Sequence, residues 1–304
     1  MKVLDLFCGC GGMSLGFQNS GFQIIGAYDF WDKAVDTYNA NMDHTASIFD
    51  LSDVAGFIEK FADASCDVII GGPPCQDFSS AGKRTERERA NLTNAFAEII
   101  TSIRPTYFVM ENVARTKNSR TYNAARNLLI ESGYGLTEVV LDASYCGVPQ
   151  IRKRFFCIGA LGQSEGFMSE ILENRLSSKQ MSLRDYFGAD LNIDHYYRHP
   201  RTYNRRGVFS VDEPSMTIRG VNRPIPGTYQ RHHGDTAPID EKVRPLSTQE
   251  RAMVQTFPRN FTWIGSKTAV EQMIGNAVPV NLAKYVADCI TTYHSNESVK
   301  KQVA

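Results

Sequence analysis

Short apolar runs alternate with stretches of helical period through the first half of the chain. Val3 to Phe7, Gln23 to Tyr28, Cys66 to Ile70, Thr106 to Met110 and Arg154 to Gly159 read as strands. Ser14 to Asn19, Trp31 to Asn41, Leu92 to Ile103 and Asn123 to Ser132 read as helices. In Leu92 to Ile103 the residues Leu92, Phe96, Ile99, Ile100 and Ile103 repeat at helical spacing. Strand–helix alternation predicts an α/β fold built on a doubly wound, mostly parallel sheet. The pattern breaks near residue 160. Residues 161–243 are rich in Arg, Tyr, Pro, Asn and Gly and predict a second, smaller, loop-rich domain. Regularity returns with helices over Ser247 to Phe257, capped by Ser247, and Pro279 to Tyr293, opened by Pro279. Both are expected to pack back on the first domain, which then comprises 1–160 with 244–304. Asn296 to Ala304 reads as a frayed tail.

Composition narrows the class. The 304 residues are 42% hydrophobic and 22% charged, as in an ordinary soluble protein with one large domain and a smaller one. No apolar run approaches the roughly 20 residues of a membrane span. Met1 to Phe7 is too short and too quickly acidic for a signal peptide. Seven cysteines without a Cys-x-x-Cys pair point to a reduced, cytoplasmic setting. Cys8 and Cys10 have no matching Cys/His pair elsewhere, so no metal is expected. The formal charge is zero, from 33 basic and 33 acidic residues, and is silent about nucleic acid. Its distribution is not. Residues 195–234 carry Arg198, Arg201, Arg205, Arg206, Arg219, Arg223 and Arg231 against only Asp212 and Glu213. Tyr196, Tyr197, Tyr203, Phe209 and Tyr229 are interleaved, which is the footprint of a nucleic-acid surface or of a solvated irregular face.

Three constellations carry candidate chemistry. Asp5 to Gly12 (Asp-Leu-Phe-Cys-Gly-Cys-Gly-Gly) is a glycine-rich turn leaving the first strand. Its Gly-x-Gly-Gly spacing fits neither the dinucleotide fingerprint nor a phosphate-binding loop. A cofactor with a nucleoside and no phosphates suits it. Asp29, ending the second strand, is placed to bind ribose hydroxyls. Phe30 or Trp31 is placed to cover an adenine, and Asp50 to accept from its amino group; S-adenosylmethionine fits. Next, Gly71-Gly72-Pro73-Pro74 ends a strand abruptly and puts Cys75 where crevices open in α/β sheets. Cys75 is either a nucleophile or a small buried hydrophobe. Finally, Glu111 at a strand end is placed to stay protonated and donate to a ring nitrogen. Gln150, Arg152 and Arg154 fall on one face of an extended segment. Each of these groups taken alone has a structural reading as well.

Together and in this order, these pieces resemble the DNA (cytosine-5)-methyltransferases. The matching residues are Asp5 to Gly12, Pro73-Pro74-Cys75-Gln76, Glu111-Asn112-Val113, Gln150 to Arg154, Arg244-Pro245-Leu246-Ser247 through Glu250, and Gly275 to Pro279. The resemblance spans nearly the whole chain. It implies that the Cys75 thiolate attacks C6 of a flipped-out cytosine while Glu111 binds or protonates N3. The methyl group then passes from S-adenosylmethionine to C5. Arg154 would hold the cytosine O2, supported by Arg152. The cofactor would lie against Phe7, Gly9, Gly11, Gly12, Asp29, Phe30, Asp50, Leu51, Pro74, Leu92, Asn276 and Ala277. Residues 76–91 resemble a mobile loop closing over the nucleotide, with Ser79, Lys83 and Arg84 on DNA. Gln150, Arg205, Arg206, Arg219 and Arg223 would complete the DNA contacts, the last four in a target recognition domain over 161–243.

Two departures stand out. Asp29 replaces the family's frequent Glu, and Phe30 precedes Trp31, leaving open which ring covers the adenine. The chain starts almost at its first strand, as in compact bacterial or phage modification enzymes. The implied partner is double-stranded DNA, met by a monomer, with a cognate restriction endonuclease as a genetic partner. An RNA-methylating relative would carry a Cys-Phe-Thr signature in the target domain, which is absent. A non-catalytic relative would lack the Pro-Cys or Glu-Asn-Val residues. An amino-group methyltransferase would show residues like Pro-Pro-Tyr at 73–75.

Overall fold

The computed structural model describes residues 1–61, 65–74, 92–202 and 205–303, with side chains to 299. Elements run β1 (Lys2–Leu6), α1 (Gly12–Gln18), β2 (Gln23–Asp29), α2 (Asp32–Asn39), β3 (Ala46–Ile48), α3 (Val54–Phe61), β4 (Val68–Gly71) and α4 (Leu92–Ile103). They continue with β5 (Tyr107–Val113), α5 (Arg120–Glu131), β6 (Tyr134–Asp142), β7 (Gln150–Ile151), β8 (Lys153–Leu161), α6 (Ser169–Asn174) and α7 (Leu183–Phe187). The last third holds β9 (His195–Tyr197), β10 (Val208–Ser210), β11 (Ser215–Met216), β12 (Arg244–Pro245), α8 (Thr248–Val254), α9 (Lys267–Asn276) and α10 (Val280–Val303).

Seven strands form one sheet in the order β3-β2-β1-β4-β5-β8-β6. The first five are parallel, and β8 runs antiparallel to both β5 and β6. Successive residues of a strand face opposite sides, so β1 sends Val3 to one core and Leu4 to the other. Val3, Val68 and Val109 pack with Phe17 of α1 and Leu282, Val286 and Ile290 of α10. Leu4, Ile69 and Phe108 pack with Phe96 and Ile100 of α4 and Leu129 of α5. A sheet covered on both faces in this way needs continuous apolar strands, which is what β4 and β5 supply. Gly16 lets α1 approach α10 closely, since a Cβ there would lie 2.5 Å from the Cβ of Ala283. Strand order reverses between β1 and β4. A crevice therefore opens beyond their C-terminal ends, fixing where a ligand binds.

The elements β3, α3, β6 and α9 are not among those that the sequence pattern predicts. The apolar run of β6 is interrupted by Thr137 and Glu138, and it is recognisable as a strand only through its pairing along β8. The tail expected to fray from Asn296 instead continues α10 to Val303, because no Pro or Gly interrupts it. The helix expected to reach Phe257 is opened by a Ser247–Glu250 capping box and stops at Val254, shortly before Thr256 turns to φ 61°.

The later part builds a three-stranded sheet, β10-β9-β12. Its apolar residues Leu183, Phe209 and Ile218 share one core with Ala252 and Phe257 and with Ile274 of α9. Met168 and Leu172 pack in the core beneath α10.

Candidate active site

The turn after β1 is held by three left-handed residues, Phe7 (φ 60°), Gly9 (φ 54°) and Gly11 (φ 94°). It wraps the Asp29 carboxylate: Gly9 N–H donates to Oδ2 and Trp31 N–H to Oδ1, each at 2.8 Å. Burial raises the Asp29 pKa despite these bonds. The turn, the ends of β2, β4 and β5, and the C-terminus of α9 together enclose a cleft of about 990 Å³. Phe7, Gly9, Gly12, Asp29, Phe30, Asp50, Leu51, Pro74, Leu92, Asn276 and Ala277 all line it. Gly11 does not. A Cβ there would meet Met42 and Tyr38 at under 3 Å, so Gly11 shapes the turn from behind. The Phe30 ring is 60% exposed at the cleft, whereas Leu51 and Leu92 are buried in its wall.

Asp5 is a cleft residue that the sequence reading did not single out. It is 1% exposed, and burial pushes its pKa up to about 7. Its Oδ2 accepts from the Ser14 hydroxyl at 2.6 Å, while Oδ1 has no partner. Behind Ser14, Tyr38 OH donates to Ser14 Oγ at 2.7 Å and lies 2.5 Å from His44 Nε2. A buried hydrogen-bonded chain thus runs from the cleft to His44.

The other end of the cleft gathers Glu111, Arg154 and the β4 terminus. Glu111 and Arg154 are diagonal neighbours on the antiparallel strands β5 and β8, with Arg154 Nε 3.0 Å from Glu111 Oε1. Glu111 Oε2 faces Gly72, where a Cβ would stand 3.3 Å away. Burial raises the Glu111 pKa, and the nearby Arg154 and Arg152 only partly counter it. Asn112 Nδ2 donates to Pro73 O at 2.8 Å and pins the Pro73–Pro74 segment to β5. Pro74, the last described residue before Cys75, lines the cleft. Cys75, Ser79, Lys83 and Arg84 lie outside the described residues. Each of the described cysteines has its thiol pushed up by burial, to about 11 for Cys66 and Cys289 and about 12 for Cys10, Cys146 and Cys157. Cys8 is raised likewise. None of these six is a thiolate near neutral pH.

Arg152 and Gln150 depart from expectation. Arg152 lines the cleft but is 1% exposed, and its guanidinium points at main chain. Nη1 donates to Ile218 O at 3.1 Å, and Nη2 to Gly275 O and Ala277 O, each at 2.9 Å. Arg152 therefore clamps the segment that follows β11 to the cleft wall. Gln150, expected on DNA, is instead sealed at 0% exposure. Its Nε2 donates to Gln255 Oε1 at 2.7 Å and its Oε1 accepts from Ile218 N at 2.9 Å, so both ends of the amide are engaged within the protein. Arg206 pairs with Glu213 at 2.5 Å and stacks over Phe209, so its charge is already countered. Arg205 and Arg223 are exposed, and Arg219 donates to His199 O. Among the described residues there is no acidic or Cys/His cluster able to hold a metal, and no helix long and apolar enough to cross a membrane.

Comparison with known proteins places this arrangement. The family described as C-5 cytosine-specific DNA methylase matches residues 1–292. The chain is 54% identical over 295 residues to the Type II methyltransferase M.HindV of Haemophilus influenzae, covering 96% of this chain and 97% of that one. It is 52% identical over 294 residues to M.HgiDI of Herpetosiphon aurantiacus, covering 96% and 95%. A DNA modification methyltransferase encoded within an E. coli prophage shares the fold at a TM-score of 0.69 and 22% identity, covering 97% and 99%. The chain belongs to the C-5 cytosine-specific DNA methylase family and is a DNA cytosine-5-methyltransferase.

Proposed function

We propose that the enzyme methylates C5 of a cytosine flipped out of a specific duplex sequence, using S-adenosylmethionine and a transient Cys75–C6 bond. The observation that carries this reading is the shared cleft. The glycine turn and Asp29 line one end, while Glu111 and the segment entering Cys75 line the other.

The first end suits S-adenosylmethionine. Asp5 Oδ1 is a buried acceptor without a partner, fit for an ammonium group. Asp29 and Asp50 suit ribose hydroxyls and an adenine amino group, and the Phe30 ring suits an adenine face. The described basic side chains lining the cleft are Arg152 and Arg154, both already engaged, which disfavours a phosphate-bearing ligand. When bound, S-adenosylmethionine supplies an electrophilic methyl group on a sulfonium centre.

The protein's own task is to make C5 nucleophilic. Addition of the Cys75 thiolate to C6 pushes an electron pair toward C5. Glu111, whose pKa burial raises against the opposing pull of Arg154 and Arg152, is placed to hold a proton at N3 and to stabilise the charge that develops in the ring. Arg154 grips Oε1 and leaves Oε2 turned to the β4 terminus. After methylation, loss of the C5 proton and departure of the Cys75 sulfur restore the aromatic ring. These ring atoms are inaccessible in stacked duplex, hence the flipped base. The segment 161–243 would select the sequence, and the enzyme would serve a restriction–modification pair like its Type II relatives.

Bisulfite sequencing of host DNA after expression tests the activity and yields the target. Wild type should form a denaturation-resistant adduct with a duplex carrying 5-fluorocytosine at that site, and Cys75→Ala should form none. Absence of the wild-type adduct removes Cys75 from the mechanism. Methyl transfer to tRNA but not to duplex DNA would refute the substrate.

A further inference from the structure

We propose that Arg198, Arg219 and Arg223, with Arg201 as a neighbouring like charge, form a pocket for one backbone phosphate of the duplex, beside the target nucleotide. This rests on the duplex-DNA reading above. A second, smaller recess is lined by Tyr196, Arg198, His199, Arg219, Arg223 and Arg251. Its guanidinium groups come from three separate segments, and backbone carbonyls orient them. Arg198 Nη2 donates to Thr217 O at 2.9 Å, Arg219 to His199 O, and Arg251 to Arg219 O. Such bonds fix direction but cancel no charge.

Only one of these guanidinium groups has an acidic partner among the described residues. Arg251 pairs with Glu271 at 2.7 Å. Arginines nearby are likewise paired: Arg184 with Asp194 and Asp212, Arg206 with Glu213, Arg244 with Glu250, Arg259 with Asp190. Arg198, Arg201, Arg219 and Arg223 have no acidic partner among the described residues. Their mutual repulsion is felt: Arg198 is pushed down to about 10 by burial and then by Arg219, with Arg201 and Arg251 adding. His199 is lowered by burial and by Arg223 and Arg219. The buried Tyr196 hydroxyl sits beside Ser215 at the wall of the recess. Like charges held this close destabilise the fold unless an anion bridges them. Planar forks converging from separate segments suit a tetrahedral oxyanion with several acceptor oxygens.

The connection to the cleft locates that phosphate. Arg219 follows Ile218, whose carbonyl is held by Arg152, and the same guanidinium holds Gly275 and Ala277 of the cleft wall. Gly220 packs so tightly on Gly275 that a Cβ on Gly275 would lie 2.1 Å from Gly220 N. An anion on Arg219 is therefore anchored rigidly to the cleft that takes the base.

The test uses full-length enzyme and the duplex site obtained by bisulfite sequencing. Failure to find any methylated site refutes the proposed reaction, not the pocket. Affinity is then measured against NaCl concentration by fluorescence anisotropy for wild type and Arg223→Gln, an exposed residue whose loss leaves the fold intact. The slope of log K against log salt should fall by about one unit, with base-pair preference unchanged. A single methylphosphonate next to the target cytosine should weaken wild type about tenfold and Arg223→Gln by less than about threefold. Arg198→Gln should behave alike; if it does not fold, the Arg223→Gln and methylphosphonate results decide. An unchanged slope overturns the proposal, whether preference at one base pair is lost, which assigns the cluster to base edges, or nothing changes at all.

Discussion

Replacing Arg152 separates a residue that acts on the substrate from one that holds the site together. Its buried guanidinium serves three carbonyls, of Ile218, Gly275 and Ala277. In Arg152→Met, Ala277 O keeps Gln255 Nε2 at 3.2 Å, while Ile218 O and Gly275 O lose the donor. A buried polar group left unpaired costs about 1–3 kcal/mol, so two cost about 2–6 kcal/mol. Relief from burying the guanidinium offsets part of that, and removing one member of a buried charged network typically costs about 3–5 kcal/mol. We therefore expect a loss of about 3 kcal/mol, a large share of the roughly 5–15 kcal/mol that stabilises a domain. Arg152→Lys should recover only part, because one ammonium cannot span carbonyls on two segments. Urea denaturation, read at constant m, gives the number. If Arg152→Met lies within about 1 kcal/mol of wild type, the clamp is not what holds these segments. If Arg152→Lys is fully stable yet slow, Arg152 serves the cytosine site in support of Arg154, as the family resemblance implies.

Three further outcomes follow from the same geometry. Glu111→Gln should slow methylation about 100- to 10,000-fold while DNA affinity changes little, and a rate within about threefold of wild type removes Glu111 from the chemistry. Asp5 holds its proton up to about pH 7 in the fold but loses it near 3.8 when unfolded. Between those values the folded state binds more protons, so stability falls as pH rises through this window and levels off above it. Asp5→Asn should flatten that slope in melts at pH 5 and pH 8, and an unaltered pH dependence would refute the assignment. Gly275→Ala should destabilise by about 1–3 kcal/mol and weaken DNA binding, because the new Cβ drives residues 219–220 off the cleft wall; unaltered stability would mean the contact yields cheaply.

The legible and illegible parts of this enzyme divide along sequence separation. The strands around the crossover, the amphipathic helix Leu92–Ile103 and the glycine turn are local patterns, and the first two need only period and punctuation to be read. The strand Tyr134–Asp142 is not local: it is defined by nine pairings to Lys153–Leu161, beyond what its mixed composition reveals. Site residues behave the same way. Alternation correctly puts Gln150 and Arg152 on equivalent positions, but it cannot say what lies opposite. What lies opposite is Ile218, Gln255, Gly275 and Ala277, 66 to 125 residues away. That distance turns two expected ligand contacts into internal braces. Arg206 is neutralised by Glu213 only seven residues on, yet a count of arginines treats it as free. Asp5 escaped notice for the converse reason, since its value lies in what it lacks: one carboxylate oxygen in the cleft wall with nothing to accept from. Reading which polar groups have partners, rather than which residue types are present, is what separates Gln150 and Arg206, both engaged within the protein, from the arginines around Arg219 that have no acidic partner among the described residues.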